Sequence, residues 1–184
     1  MNNELTLGTI WITGITASGK TTLGKKLYEY LLENGIKNVE FLDGDELRNR
    51  LTVKYGHSIE DRFLVVKEIV NVAKKSIMDG NISIVSTISH KREMREYARE
   101  QIPNFMEVFL RCDPDICADR DYKGQYKIAK SGEYDLFVGV TEPYEESLEP
   151  DFLINTGALS EEESSSILIE AAMSFLNKKT KHFQ

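Results

Sequence analysis

Residues 8–24 read "GTIWITGITASGKTTLG", and the class of the whole chain turns on them. Gly14-Ile15-Thr16-Ala17-Ser18-Gly19-Lys20-Thr21 fits G-x-x-x-x-G-K-[ST], the phosphate-binding loop. The pattern is short, so its flanks must decide. Thr9-Ile10-Trp11-Ile12 before it is a β-branched and aromatic run that reads as a buried strand. Leu23, Leu27, Tyr30 and Leu31 after it recur at helical spacing, and Asn34-Gly35 stops the helix. Strand, loop, helix is the order the motif requires. Glycines let successive N–H groups turn inward onto phosphate oxygens beside the positive end of a helix. Gly14, Ile15, Thr16, Ala17, Ser18, Gly19, Lys20, Thr21 and Thr22 are the expected cradle for the phosphates of ATP. Lys20 is expected on the β- and γ-phosphates and the Thr21 hydroxyl on Mg²⁺. This loop indicates a nucleoside triphosphate and leaves the reaction open.

Composition narrows the field. The 184 residues suit a single domain, 1–184, and 41% hydrophobic with 29% charged residues is ordinary for a soluble globular protein. A formal charge of −7 argues against nucleic acid as a partner, since phosphate backbones are held by Lys and Arg. A small anionic ligand in a locally basic cleft is compatible with it. No 18-residue apolar run occurs and the start, MNNELT, is polar, so neither a membrane nor a leader is expected and the cytoplasm is the expected location. Cys112 and Cys117 lack a second Cys/His pair and read as two reduced thiols.

Strand-like runs recur at Thr9–Ile12, Val39–Leu42, Ile82–Ile88, Met106–Leu110 and Phe152–Ile154. Helical patterns lie between or after them, the last opening on the capping-box sequence Ser160-Glu161-Glu162-Glu163. The alternation predicts an α/β fold: a mostly parallel five-stranded sheet with helices on both faces, as in P-loop NTPases, and a lid segment. Ligands bind beyond the carboxyl ends of such strands, so the residues after each strand matter most. Strand two delivers Asp43-Gly44-Asp45, then Arg48. Two carboxylates there suit proton abstraction or orientation of Mg²⁺; a turn with Asp45 capping a helix is the plainer alternative. Strand three delivers Ser86-Thr87-Ile88-Ser89-His90-Lys91-Arg92 to the same rim. The basic, aromatic stretch from Arg120 reads either as a solvated helix face or as a lid, about 120–139, that brings cations over the phosphates and excludes water.

Taken together, these residues resemble the adenylylsulfate kinase family, P-loop enzymes that phosphorylate the ribose 3′-hydroxyl of adenosine 5′-phosphosulfate. The resemblance runs from about Gly8 to Gly157 and rests on the loop, "FLDGDELR" (41–48), "GHSIEDR" (56–62), "IVSTISHKREMR" (84–95), "RDYKGQYKIAKSGEYDLFVGV" (120–140) and "PYEESLEPD" (143–151). It implies Asp43 near the attacking hydroxyl, with Asp45 toward metal and phosphates. It also implies Arg48 and Arg62 on the 5′ anionic group, Ser89 and Lys123 in the catalytic machinery, and Phe137 over the base. Relatives are commonly homodimers, so a homodimer is expected.

The chain departs from the family on the acceptor side. His57 replaces a stacking Phe, Val65 replaces a polar Asn, and His90-Lys91 follow Ile88-Ser89 where Pro and an aromatic are usual. Stacking and amide hydrogen bonds are how a site reads a base. The departures favour a sister branch, the cytidine diphosphoramidate kinases of capsule phosphoramidate synthesis, over adenylylsulfate kinase proper. A regulatory nucleotide-binding module is the alternative of another class, but Lys20, Asp43 and Asp45 are all present; a GTPase would want N-K-x-D, which is missing.

Overall fold

The computed structural model describes residues 5–132 and 136–177. Five strands, β1 (Thr9–Thr13), β2 (Val39–Asp43), β3 (Ile82–Ser86), β4 (Phe105–Arg111) and β5 (Phe152–Asn155), form one sheet in the order β2-β3-β1-β4-β5. Every pairing is parallel. All carboxyl ends therefore lie along one rim, as a parallel sheet requires.

Side-chain alternation sorts the core into two layers. Ile10 and Ile12 of β1 face α1 (Lys20–Glu33) and α7 (Glu161–Leu176), packing with Leu27, Leu31, Leu168 and Phe175. Trp11 faces the other way, toward α3 (Ile59–Met78) and α4 (Arg92–Gln101), with Val66, Ile69, Val85, Met94 and Phe105. Because both faces are covered, all five residues of β1 are buried, which explains its continuous apolar reading.

The short helix α2 (Gly44–Arg50) follows β2 directly, while α5 (Pro114–Arg120) and α6 (Gln125–Lys130) follow β4. The third strand is shorter than its apolar run suggested, ending at Ser86 rather than Ile88. Thr87 still donates its N–H to Ile12 O, 3.1 Å away, but the chain then turns and Ser89 takes a left-handed φ of 36°. The hydrophobicity of Ile88 serves the cleft, not the ladder. The stretch expected as a lid resolves into the end of α5, α6 and a turn; residues 133–135 lie outside the described residues. A wholly solvated helix face is excluded, since Tyr126, Ala129, Phe137 and Val138 are buried together with Ile15, Cys112 and Cys117.

Capping sets where the site-bearing helices begin. The expected capping box at Ser160 and Glu163 is formed. Ser58 caps α3, its Oγ accepting from Asp61 N at 3.0 Å, and so fixes the start of the helix that carries Arg62 and Val65. Ser58→Ala is expected to cost about 1 kcal/mol of stability. Urea unfolding should show a lower midpoint with an unchanged slope; an unmoved midpoint would mean the cap contributes nothing.

Candidate active site

The loop between β1 and α1 has the shape its sequence demands. Gly14 has no room for a side chain: a Cβ there would lie 2.7 Å from both Leu110 O and Ser18 Oγ. Gly19 stands at φ 99° as the N-cap of α1, and no side chain caps that helix. Its first N–H groups thus remain available to an anion, beside the positive helix end. The Ser18 hydroxyl is buried without a partner. These features fit a bound polyphosphate. Lys20, the first residue of α1, folds back so that Nζ donates to Ile15 O at 2.7 Å. Burial pushes its pKa down to about 8, against the opposing pull of Asp45, Cys117 and Asp43.

Asp43 joins this loop to the rest of the site. Thr21 Oγ1 donates to Asp43 Oδ2 at 2.8 Å, and Oδ1 accepts from the N–H groups of Asp45 and Glu46 at 3.0 and 3.2 Å. The helix cap after β2 is therefore Asp43, not Asp45, and it is Asp43 that touches the hydroxyl expected to hold Mg²⁺. Asp45 is exposed and projects toward the neighbouring cleft. Among the described residues no cluster of three or more His, Cys, Asp or Glu is arranged as a ready-made metal site. A metal here would rest on Thr21, a carboxylate and the phosphates it accompanies, which is the usual need of Mg²⁺.

The cleft beside Asp45 gathers Arg48, Arg62, Val65, Ile88, Ser89 and His90. A larger cavity of about 350 Å³ lies between Ile15 and the 139–146 segment. The smaller cleft concentrates the chemistry-bearing groups. Its two guanidiniums are held by backbone oxygens: Arg48 donates to Tyr55 O at 3.0 Å and to Gly56 O, and Arg62 to His57 O at 3.0 Å and Leu136 O at 2.9 Å. Burial and then Arg48 push the Arg62 pKa down, against the pull of Glu142 and Asp45, and among the described residues neither guanidinium forms an ion pair. Such a pair of cations suits a doubly anionic ligand group.

Other expected site residues sit further off. His57 is exposed beside the arginines but not wholly so: partial desolvation, followed by Arg48, lowers its pKa. Phe137 is buried edge-on against Tyr126 at 4.9 Å and does not line the cleft. Lys123 is exposed, with Nζ 5.7 Å from the Tyr122 ring centre. The Ser89 hydroxyl points inward: it accepts from Trp11 Nε1 at 3.1 Å and lies 3.0 Å from Thr13 Oγ1. In this structure Ser89 thus props the cleft wall rather than offering a hydroxyl to a ligand.

Several contacts escaped the sequence reading. Thr13 Oγ1 donates to Ile88 O at 2.6 Å and lies 2.8 Å from Tyr144 Oη. The Tyr126 hydroxyl donates to Thr16 O at 2.9 Å, pinning α6 to the phosphate loop. Thr156 Oγ1 donates to Ser18 O at 2.9 Å from the end of β5. The available signal was position, because Thr13 ends β1 and Thr156 directly follows β5.

A sequence profile described as adenylylsulphate kinase matches residues 7–155. The chain is 40% identical over 165 residues to an adenylyl-sulfate kinase of Bacillus pumilus, covering 89% of this chain and 83% of that protein. It is 42% identical over 156 residues to one of Rippkaea orientalis, covering 85% and 86%. Among solved structures it resembles the Mycobacterium tuberculosis APS kinase CysC in complex with AMPPNP and APS, with a TM-score of 0.85 and 32% identity over 91% of this chain and 98% of that one.

Lys20 yields a measurable proton balance. With its pKa about 8, Lys20 is roughly half charged at pH 8, and phosphate oxygens favour the charged form. MgATP binding at pH 8 should take up about half a proton, falling toward zero at pH 6.5. Calorimetry in two buffers of different ionisation enthalpy reads this directly; zero uptake at pH 8 would mean Lys20 is already charged. For Asp43→Asn, the amide oxygen still caps α2 but the charge beside Thr21 is lost. Turnover is expected to fall by at least about a hundredfold with the acceptor KM little changed. A change in KM alone would move the catalytic role to Asp45.

Proposed function

Because the chain belongs to the adenylylsulfate kinase family and is an ATP-dependent phosphotransferase, we propose that it moves the γ-phosphate of ATP to the ribose 3′-hydroxyl of a nucleoside 5′-anhydride. The Thr21–Asp43 hydrogen bond of 2.8 Å carries this reading, since it couples the phosphate loop to the mouth of the arginine-lined cleft. Mg²⁺ would supply charge neutralisation between the phosphates and Thr21. Lys20 neutralises the group in transfer, and Asp43 orients or deprotonates the acceptor hydroxyl. Arg48 and Arg62 hold the acceptor's anionic 5′ end. The Tyr126–Thr16 contact, which ties α6 to the phosphate loop, supports a lid role for the 120–139 segment, whose part would be to keep water from the reaction. A homodimer is the assembly we assign to it.

The relatives support adenosine 5′-phosphosulfate as the acceptor, making the product 3′-phosphoadenylylsulfate. A second acceptor, cytidine diphosphoramidate, is favoured by one observation: Val65 and His90, two of the acceptor-side departures, both line the cleft. Base stacking contributes about 0.5–1.5 kcal/mol beyond burial, and a lost matched hydrogen bond costs roughly 1–3 kcal/mol. The choice is decided by kcat/KM for both compounds with MgATP and one enzyme preparation. Under the first reading the adenosine compound is preferred by at least about tenfold. A reversed preference selects the cytidine compound, and no ADP release with either overturns the kinase reading.

A further inference from the structure

Thr13 ends β1 directly before the phosphate loop and is fully buried. Three groups converge on its hydroxyl: Ile88 O at 2.6 Å, Ser89 Oγ at 3.0 Å and Tyr144 Oη at 2.8 Å. A threonine hydroxyl has one hydrogen and two lone pairs. The hydrogen goes to Ile88 O, because a carbonyl only accepts, so Ser89 and Tyr144 both donate to Thr13. Burial pushes the Tyr144 pKa up to about 12, against the pull of Arg95 and Thr13, so that hydroxyl keeps its proton. Ser89 Oγ in turn accepts from Trp11 Nε1 at 3.1 Å. The Thr13 hydroxyl thus has no hydrogen or lone pair left for a ligand, and it sets the direction of every other bond in the cluster.

Its partners belong to different parts of the site. Ile88 and Ser89 line the arginine-lined cleft, whereas Tyr144 lines the larger cavity beside Ile15. The stretch at Ser89 is one that needs holding. Ser89 has a left-handed φ of 36°, and a residue with a side chain persists there only where its neighbours over-determine it. Arg95 donates to the Ser89 carbonyl at 2.6 Å, while Thr13 and Trp11 hold its hydroxyl. Tyr144 is placed by the 139–146 segment. Its ring stacks on Phe109 with centres 5.4 Å apart, and Glu145 N donates to His90 O at 2.9 Å. That segment continues the 120–139 stretch, and at Gly139 it lies against the phosphate loop, where a Cβ would be 3.4 Å from Ile15 Cγ2.

We propose that Thr13 is a positioning residue for the acceptor: its hydroxyl fixes the Ile88-Ser89 wall of the arginine-lined cleft and ties that wall, through Tyr144, to the 139–146 segment. This rests on the kinase reading above. Removing the hydroxyl leaves Ile88 O without its donor and releases Ser89 and Tyr144 from their common partner.

Thr13→Val keeps the shape of the side chain and removes the hydroxyl, Thr13→Ser keeps the hydroxyl, and Tyr144→Phe removes one donor from the far side. KM values are measured with MgATP and whichever of the two acceptors the unmodified chain uses. Thr13→Val is expected to raise the acceptor KM at least about tenfold and the MgATP KM less than about threefold, with Thr13→Ser within about threefold of the unmodified chain in both. Tyr144→Phe should raise the acceptor KM about threefold, and added to Thr13→Val it should contribute less than about twofold, since both changes break one contact. An equal rise in both KM values would make Thr13 a support of the phosphate loop, and an unchanged acceptor KM would remove it from positioning. Independent effects of the two substitutions would break the link to Tyr144; each of these overturns the proposal. If Thr13→Val loses its melting transition, Tyr144→Phe alone carries the comparison, its acceptor KM rising while that of MgATP does not. Amide exchange reads the tether without any acceptor. Residues 86–91 of the free protein should exchange at least about tenfold faster in Thr13→Val and Tyr144→Phe, with α7 unchanged, and equal exchange overturns the proposal. If the unmodified chain transfers phosphate to neither acceptor, the kinase reading fails on its own, and exchange still decides the tether.

Discussion

Asp43 is tied on both sides, one carboxylate oxygen to the first N–H groups of its own helix and the other to Thr21 across the sheet. Much of the site's geometry depends on that double attachment. The register places Asp43 beside Ser86 on β3, and the Thr21 hydroxyl lies 3.4 Å from Ser86 Oγ, so three segments meet at one point on the rim. A capping residue is usually assigned a structural role. Here the cap orients a charged group toward the phosphate loop, and conformational freedom is removed from the carboxylate before any ligand arrives.

The arginine-lined cleft is assembled on a different principle. Among the described residues its guanidiniums form no ion pair; they are steered by carbonyls of the 55–57 segment and of Leu136. Carbonyls fix direction and leave the positive charge largely uncompensated, which keeps electrostatic attraction for an anion in a chain whose net charge is −7. Behind Ser89 the chain is braced by ion pairs: Arg95, which donates to Ser89 O, sits 3.1 Å from Glu107, and Arg99 is 2.8 Å from Asp151.

Legibility in the sequence followed the range of the interactions. The order of strands and helices, the phosphate loop and the capping box at Ser160 rest on contacts within a few residues, and periodicity exposes those. The end of β3 was misplaced because Ile88 is apolar for the sake of a cleft, a reason that alternation cannot encode. The cap at Asp43 rather than Asp45 is a local contact that the reading placed two residues late, whereas the tie from Asp43 to the Thr21 hydroxyl, 22 residues away in sequence, has no local signal. Ser89 looked like a free hydroxyl until Trp11 and Thr13, more than 70 residues earlier, were seen to hold it. The positions of Phe137 and Lys123 depend on how the 120–139 segment lies against the phosphate loop, and no local signal carries that.

Trp11 is the chain's one tryptophan, fully buried, with its indole N–H given to Ser89. The emission of an indole depends on the polarity around it and on the partner of its N–H. Indole emission, excited at the red edge where the eight tyrosines absorb little, therefore originates one hydrogen bond from the wall of the arginine-lined cleft. A ligand that shifts Ser89 changes the colour or intensity of that light without any label. The fold has placed its one indole where filling of the arginine-lined cleft can be watched.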